Sequence, residues 1–179
     1  MLEILILGRG GQGAQTAGNL LAQAFYAEGY YVQTFATYGG ARRGTPVSSS
    51  IRVDAEPIRL RCDIERAGAM LCFDDSLLDE NFLRRADSET RIVVNSRRSR
   101  EMFAALGDYQ ISPIDGMRIA RNNDMGKVVN SALLGAFVAV LDQLDIETMC
   151  RVVQASAPVK KAQNVAASRE GYQHFQTTD

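Results

Sequence analysis

Cysteine, histidine, lysine and long apolar runs are all scarce in this chain, and each scarcity removes a class of function. Three cysteines in 179 residues, Cys62, Cys72 and Cys150, are odd in number and far apart. They give no disulfide framework and no C-x-x-C pair for zinc or an iron–sulfur cluster. Cys72 sits in an apolar run and reads as a small core residue. A single histidine, His174, cannot supply a triad or a metal cluster, and it reads as a surface residue. The apolar stretches fall well short of the ~20 residues that span a bilayer. The N-terminus enters Leu2-Glu3-Ile4-Leu5-Ile6-Leu7 directly, without a basic start or a cleavage site, so a cytoplasmic location is expected. Net charge is −1, from 20 Lys+Arg against 21 Asp+Glu, which leaves no field to hold nucleic acid or an anionic membrane. Only three cations are lysines, Lys127, Lys160 and Lys161; the other 17 are arginines. Arginine's planar fork suits phosphate and buried ion pairs, although a genome rich in G and C gives the same skew.

The length fits one domain with an ordinary core. Residues 2–7 read as a buried strand, followed by Gly8-Arg9-Gly10-Gly11-Gln12-Gly13 and a helix with Ala17, Leu20, Leu21, Ala24 and Phe25 on one face, closed by Glu28-Gly29. Tyr31 to Thr37 is a second strand, which makes a βαβ unit and predicts a parallel sheet. Thr45 to Val53 alternates, with Ser48, Ser50 and Arg52 on an expected wetter face. Ile58 and Leu60 suggest a hairpin return. Residues 69–73, 91–95 and 109–113 read as further strands, and Asp74-Asp75-Ser76 as caps for a helix to about Arg85. Residues 97–106 and 114–121 predict short helices, residues 127–144 a long apolar one, and Asp145 caps a last helix that Pro158 stops. The expected fold is α/β: a Rossmann-like, mostly parallel sheet flanked by helices, with a helical C-terminal part. It spans 1–158 as a single domain, and 159–179 is a polar tail packing on a neighbouring surface.

A G-x-G-x-x-G between strand and helix lets backbone N–H groups approach a phosphate at a helix N-terminus. Gly8, Gly10 and Gly13 have that spacing, and Gly11 adds freedom. The glycines would equally serve helix–strand packing or contact with another protein. No acid stands at the end of the second strand to hold a ribose, which disfavours NAD and FAD. Ala14-Gln15 after Gly13 excludes a nucleoside-triphosphate P-loop. A second glycine-rich loop, 38–44, carries Arg42-Arg43, suited to a phosphorylated ribose or a second phosphate. No catalytic set is visible, so the chain reads as borrowing its chemistry from a phosphate-bearing ligand and partner subunits.

Taken in order, Gly8-Arg9-Gly10-Gly11-Gln12-Gly13 with Thr16-Ala17, Glu28-Gly29, Tyr38-Gly39 with Arg42-Arg43-Gly44-Thr45-Pro46-Val47, Pro57-Ile58-Arg59 and Asn130-Ser131-Ala132-Leu133-Leu134-Gly135 resemble the gamma subunit of the 2-oxoacid:ferredoxin oxidoreductases, of which pyruvate synthase is the best known. The resemblance covers nearly the whole chain. It implies a gamma-type domain in a multisubunit enzyme that oxidatively decarboxylates a 2-oxoacid to an acyl-CoA. By this resemblance Gly8, Arg9, Gly10, Gly11, Gln12, Gly13, Tyr38, Gly39, Arg42, Arg43 and Asn130 contribute to binding coenzyme A. Thiamine diphosphate with Mg and the iron–sulfur clusters belong to partners: an alpha subunit, a thiamine-binding beta subunit and a delta or ferredoxin-like subunit, in a complex that can itself dimerise. Gly107-Asp108 with Asn122-Asn123 lacks the third glycine and the spacing of the thiamine motif. Where many relatives have Pro-Glu before the two arginines, this chain has Gly40-Ala41. The alternative is a purely structural assembly subunit with no ligand in the glycine loop. The 2-oxoacid stays open, because its side chain would meet the thiamine-bearing subunits.

Overall fold

The computed structural model describes residues 1–38 and 44–176. Six strands, β1 (Leu2–Arg9), β2 (Tyr31–Tyr38), β3 (Pro46–Asp54), β4 (Ala69–Cys72), β5 (Arg91–Asn95) and β6 (Gln110–Ile114), form one sheet in the order β2-β3-β1-β4-β5-β6. β1, β4, β5 and β6 are parallel to one another, and β3 runs antiparallel between β1 and β2. The expected βαβ unit is therefore present with a strand slotted into it. Helix α1 (Ala14–Ala27) makes the crossover, and Gly29 ends it in the left-handed conformation, φ 90°, with its N–H on Tyr26 and that of Tyr30 on Phe25.

Alternation along the strands divides the core into two layers. Ile4 and Ile6 join Ile51, Leu71 and Val93 beneath α1, α3 (Gly116–Asn122), α4 (Asn130–Val140), α5 (Ile146–Ser156) and α6 (Lys161–Gln176). Leu5, Met70, Cys72, Ile92 and Val94 face the other way, toward the short α2 (Glu80–Leu83), 3-10 turns at Asp75–Leu77 and Arg100–Leu106, and Ile64. The sheet is thus thickly covered on one face and thinly on the other. Each buried aliphatic side chain contributes roughly 1.5–3 kcal/mol.

Four expectations are corrected. The face of β3 expected to be wet is buried at two of its three positions: Ser50 is 4% and Arg52 1% exposed, while Ser48 is half-buried. Arg52 lies in register with Glu3 on β1 and Gln33 on β2. Its Nε donates to Glu3 Oε1 at 2.7 Å and one Nη to Gln33 Oε1 at 3.1 Å, while the guanidinium lies 5.4 Å from the Phe35 ring centroid. A buried charge is tolerated because these neighbours satisfy it. Residues 58–61 form no return strand; the carbonyl of Leu60 instead accepts from Gln33. The helix expected after Asp74 is split into a 3-10 turn and α2, because Asp74 and then Asp79 each cap a separate start. The long helix begins at Asn130 rather than Lys127, since Gly126 at φ 62° sits in the preceding turn.

Residues 161–176, read as polar tail, form α6 against α4. Only Ala167, Ser168 and Gly171 of that helix are buried. Small residues permit very close approach: a Cβ on Gly135 would lie 1.8 Å from the Ser168 carbonyl oxygen, and one on Gly171 would lie 2.1 Å from that of Ala132. Ser168 Oγ donates to the Ser131 carbonyl and Ser131 Oγ to Asn164 Oδ1, so the seam's hydroxyls are satisfied.

Candidate functional site

The chain leaves β1 toward β2 on one side of the sheet and later enters β4 on the other, so a crevice opens past the carboxyl ends of β1 and β4. In open α/β sheets this reversal of strand order is where ligands bind. The glycine loop 8–13 follows β1 there, and Asp74 follows β4. Gly8 has no room for a side chain, since a Cβ would meet Ala14 Cβ at 2.9 Å and Phe73 Cβ at 3.2 Å. Gly13 is the N-cap of α1 at φ 89°, a conformation that favours glycine. No acid stands in the first turn of α1, whose leading N–H groups have no partner four residues back.

Polar bonds fix the loop. Arg9 N–H donates to Gln12 Oε1 at 2.7 Å and Gln12 N–H to the Arg9 carbonyl at 2.9 Å. Arg9 Nε donates to Asp74 Oδ2 at 3.0 Å, its other guanidinium nitrogens reach Ser76 Oγ and the Gly44 carbonyl, and Gln12 Nε2 reaches Asp74 at 3.2 Å. Ser76 closes the network from below, donating through N–H and Oγ to Asp74 Oδ1. Burial alone would raise the Asp74 pKa, but the bonds from Ser76, Arg9 and Gln12 outweigh it and hold the carboxyl below its ordinary range. Asp74 is therefore more than a helix cap. The sequence pointed to it as a cap, and only the fold shows that it ties two strand ends to the loop. Beneath it, Cys72 Sγ donates to the Asp74 carbonyl, and burial pushes this thiol up to about 12.

Of the eleven residues proposed for ligand binding, Gly8 to Gly13 lie together at the crevice. Asn130, the first residue of α4, joins them: its Nδ2 donates to the Gly13 carbonyl at 3.0 Å. Tyr38 ends β2, its backbone in register with Val47. Gly39, Arg42 and Arg43 lie outside the described residues. The chain re-emerges at Gly44, whose N–H donates to the Gly10 carbonyl at 3.0 Å, while Gly10 N–H donates to Thr45 at 2.8 Å. The segment after the two arginines is thus stitched to the glycine loop. Arg9, Gly10 and Gln12 use their N–H groups internally, and the leading amides of α1 have no carbonyl four residues back to bond. Among the described residues, no three His, Cys, Asp or Glu side chains converge as a metal site, and no helix is long and apolar enough to cross a membrane.

Residues 3–174 match the family model described as pyruvate ferredoxin/flavodoxin oxidoreductase. The chain is 33% identical over 178 residues to the common gamma subunit of the pyruvate/ketoisovalerate oxidoreductases of Pyrococcus furiosus, covering 97% of this chain and 96% of that one. The crystal structure of pyruvate oxidoreductase subunit PORC from Thermotoga maritima superposes with a TM-score of 0.84 at 27% identity, covering 96% of this chain and 95% of that one. The same fold recurs within a longer chain, the 2-oxoglutarate:ferredoxin oxidoreductase of Magnetococcus marinus, solved with 2-oxoglutarate, coenzyme A and succinyl-CoA bound. There the TM-score is 0.80 at 20% identity, covering 99% of this chain and 31% of that one.

Proposed function

The chain belongs to the pyruvate ferredoxin/flavodoxin oxidoreductase family, and from that premise we propose that it serves as the gamma subunit of a complex that converts a 2-oxoacid and coenzyme A to acyl-CoA and carbon dioxide, delivering two electrons to an acceptor. Its own part is to hold the nucleotide end of coenzyme A. The observation that carries this reading is the stitching of Gly44 and Thr45 to Gly10, which brings the chain directly after Arg42-Arg43 to a glycine loop at a strand-order reversal. Coenzyme A carries a pyrophosphate and a phosphorylated ribose. The first-turn amides of α1 suit one, and a pair of arginines suits the other. Asp74 positions the loop, and Gln12 and Asn130 brace it as well, through Asp74 and the Gly13 carbonyl, from places beside the ligand.

Carbanion chemistry on the 2-oxoacid would come from thiamine diphosphate in a partner, and electron transfer from partner iron–sulfur clusters. The cysteines fit no cluster: Cys72 and Cys150 are buried and Cys62 is exposed. We place the alpha, beta and delta-type partners and a cytoplasmic location in the same proposal. Titration calorimetry of the intact complex with coenzyme A tests the ligand role. Each charge-assisted contact contributes roughly 1.5–3 kcal/mol, so Arg42→Ala with Arg43→Ala should weaken binding at least a hundredfold. Unchanged affinity would remove it. A second reading, an assembly subunit with no ligand in the loop, draws on the internal bonding of Arg9, Gln12 and Asn130, and the same unchanged affinity would favour it.

A further inference from the structure

A second concavity, of about 400 Å³, opens beside α1, with Thr16 and Asn130 among its lining residues. Leu20, Met125, Val128, Val153, Pro158 and Val159 give it an apolar lining, and its thirteen lining residues include one base, Lys160, and no acid. Val128 and Val159 stand at its lips, 51% and 68% exposed. Three of the polar side chains in the groove are already engaged, and the hydroxyls of Thr16 and Ser156 complete its polar lining. Asn130 bonds the Gly13 carbonyl, Ser131 bonds Asn164, and Asn164 bonds the Lys160 carbonyl. A small polar ligand would find few free groups to orient it, whereas apolar side chains need none.

Two further features mark the lips. The non-glycine residues with left-handed backbone among those described are Asp124, φ 56°, and Lys160, φ 52°. They belong to the two segments that border the groove, and Lys160 Nζ donates to the Asp124 carbonyl across it. Strain of this kind persists where surrounding structure over-determines it, and it clusters at binding sites. In addition, the chain's three lysines all belong to these segments: Lys127 adjoins Val128, and Lys160 and Lys161 follow Val159. All three are exposed. Lysine offers a point charge on a flexible stem, without the fixed fork of the arginines used elsewhere. Asp124, in the same segment as Lys127, turns its backbone carbonyl to Lys160, and nearby Glu170 is taken up by Asn122 and Asn123.

We propose that this groove docks a segment of another subunit of the complex, one that presents adjacent apolar side chains flanked by Asp or Glu. Charge complementarity selects that occupant, because a lysine-edged apolar groove with no lining carboxylate repels a basic segment and leaves an acidic one paired. The proposal rests on membership of a multisubunit enzyme and is independent of coenzyme A binding at the glycine loop.

The test uses the assembled complex, with a photo-reactive benzoyl-phenylalanine at Val159. Illumination should cross-link this chain to another subunit, at a stretch where apolar residues adjoin carboxylates. Val159→Asp with Lys161→Glu, both exposed and outside the glycine loop, should leave the circular dichroism of the chain unchanged and raise the dissociation constant of assembly at least tenfold. The weakening should shrink as salt is added to the parent complex. Absence of an inter-subunit cross-link, a cross-link only to a second copy of this chain, one to a stretch without carboxylates, or unchanged assembly by the double variant would each overturn the proposal. Coenzyme A titration of the parent complex does not enter any of these outcomes.

Discussion

Gly135 and Gly171 bring two helix backbones into contact, whereas Gly13 turns a strand into a helix beside the crevice. At the α4–α6 seam the obstacle to a side chain is backbone, Ser168 and Ala132 carbonyls at 1.8 and 2.1 Å from the missing Cβ atoms. In the loop it is a side chain, Asn130 Nδ2 at 2.4 Å from the position a Gly13 Cβ would take, with φ at 89°. Backbone cannot step aside, and a side chain can. The seam should therefore be rigid and purely structural, while the loop is held by a removable polar prop, as a ligand-binding segment requires.

Ordered by size, four measurements press on that contrast. Gly171→Ala should cost about 3 kcal/mol, the upper end for an overpacked core, seen as a lower urea midpoint; a loss below about 1 kcal/mol would mean that α6 slides freely and the seam is not tight. Gly13→Ala should cost about 2 kcal/mol, of which roughly 1–2 is the left-handed backbone. Combining it with Asn130→Ala should cost less than the sum of the single changes, and strict additivity would show that the prop does not limit the loop. Asp74→Asn should lose about 1 kcal/mol at neutral pH, because part of each charged bond is exposed to solvent. The folded-state pKa of Asp74 is depressed, so this gap is full above the ordinary value of about 3.9 and closes as pH falls through the folded pKa. A gap that stays undiminished as pH falls through the folded pKa would assign the effect to shape rather than charge. The smallest effect is in thiol labelling at pH 8: exposed Cys62 should react, while Cys72, buried and bonded to the Asp74 carbonyl, stays unmodified in the folded chain. Equal rates would show that the end of β4 opens together with the loop.

How much of this was legible depended on whether a residue's role is local. Leu2 to Leu7, the glycines and the face of α1 announce strand, turn and helix through neighbours in sequence, and they appear where expected. The insertion of β3 does not, because strand order depends on which long-range pairing wins. Arg52 looked like a solvated charge because its partners, Glu3 and Gln33, are 49 and 19 residues away. Helix α6 was hidden by its composition: it docks through Ala167, Ser168 and Gly171, which leave no apolar period to read. At the crevice, the glycine spacing was visible, but the tie from Asp74 to Arg9 and Gln12 requires two strand ends to meet. Asn130 was found as a candidate through family resemblance, and its bond to Gly13 joins residues 117 apart.

The position of β1 has a consequence for how the molecule is made. This apolar strand precedes its pairing partners along the chain and sits in the middle of the sheet, where Leu2 pairs with Val53 and Ile4 with Ala69. At about 5–20 residues per second, its first edge stays uncovered for several seconds of translation and its second for longer. An unpaired run such as Leu2-Glu3-Ile4-Leu5-Ile6-Leu7 is the kind of segment that aggregates when exposed, and Glu3 is the one charge within it. That carboxylate, matched to Arg52 in the finished sheet, interrupts the run while its edges are still unpaired.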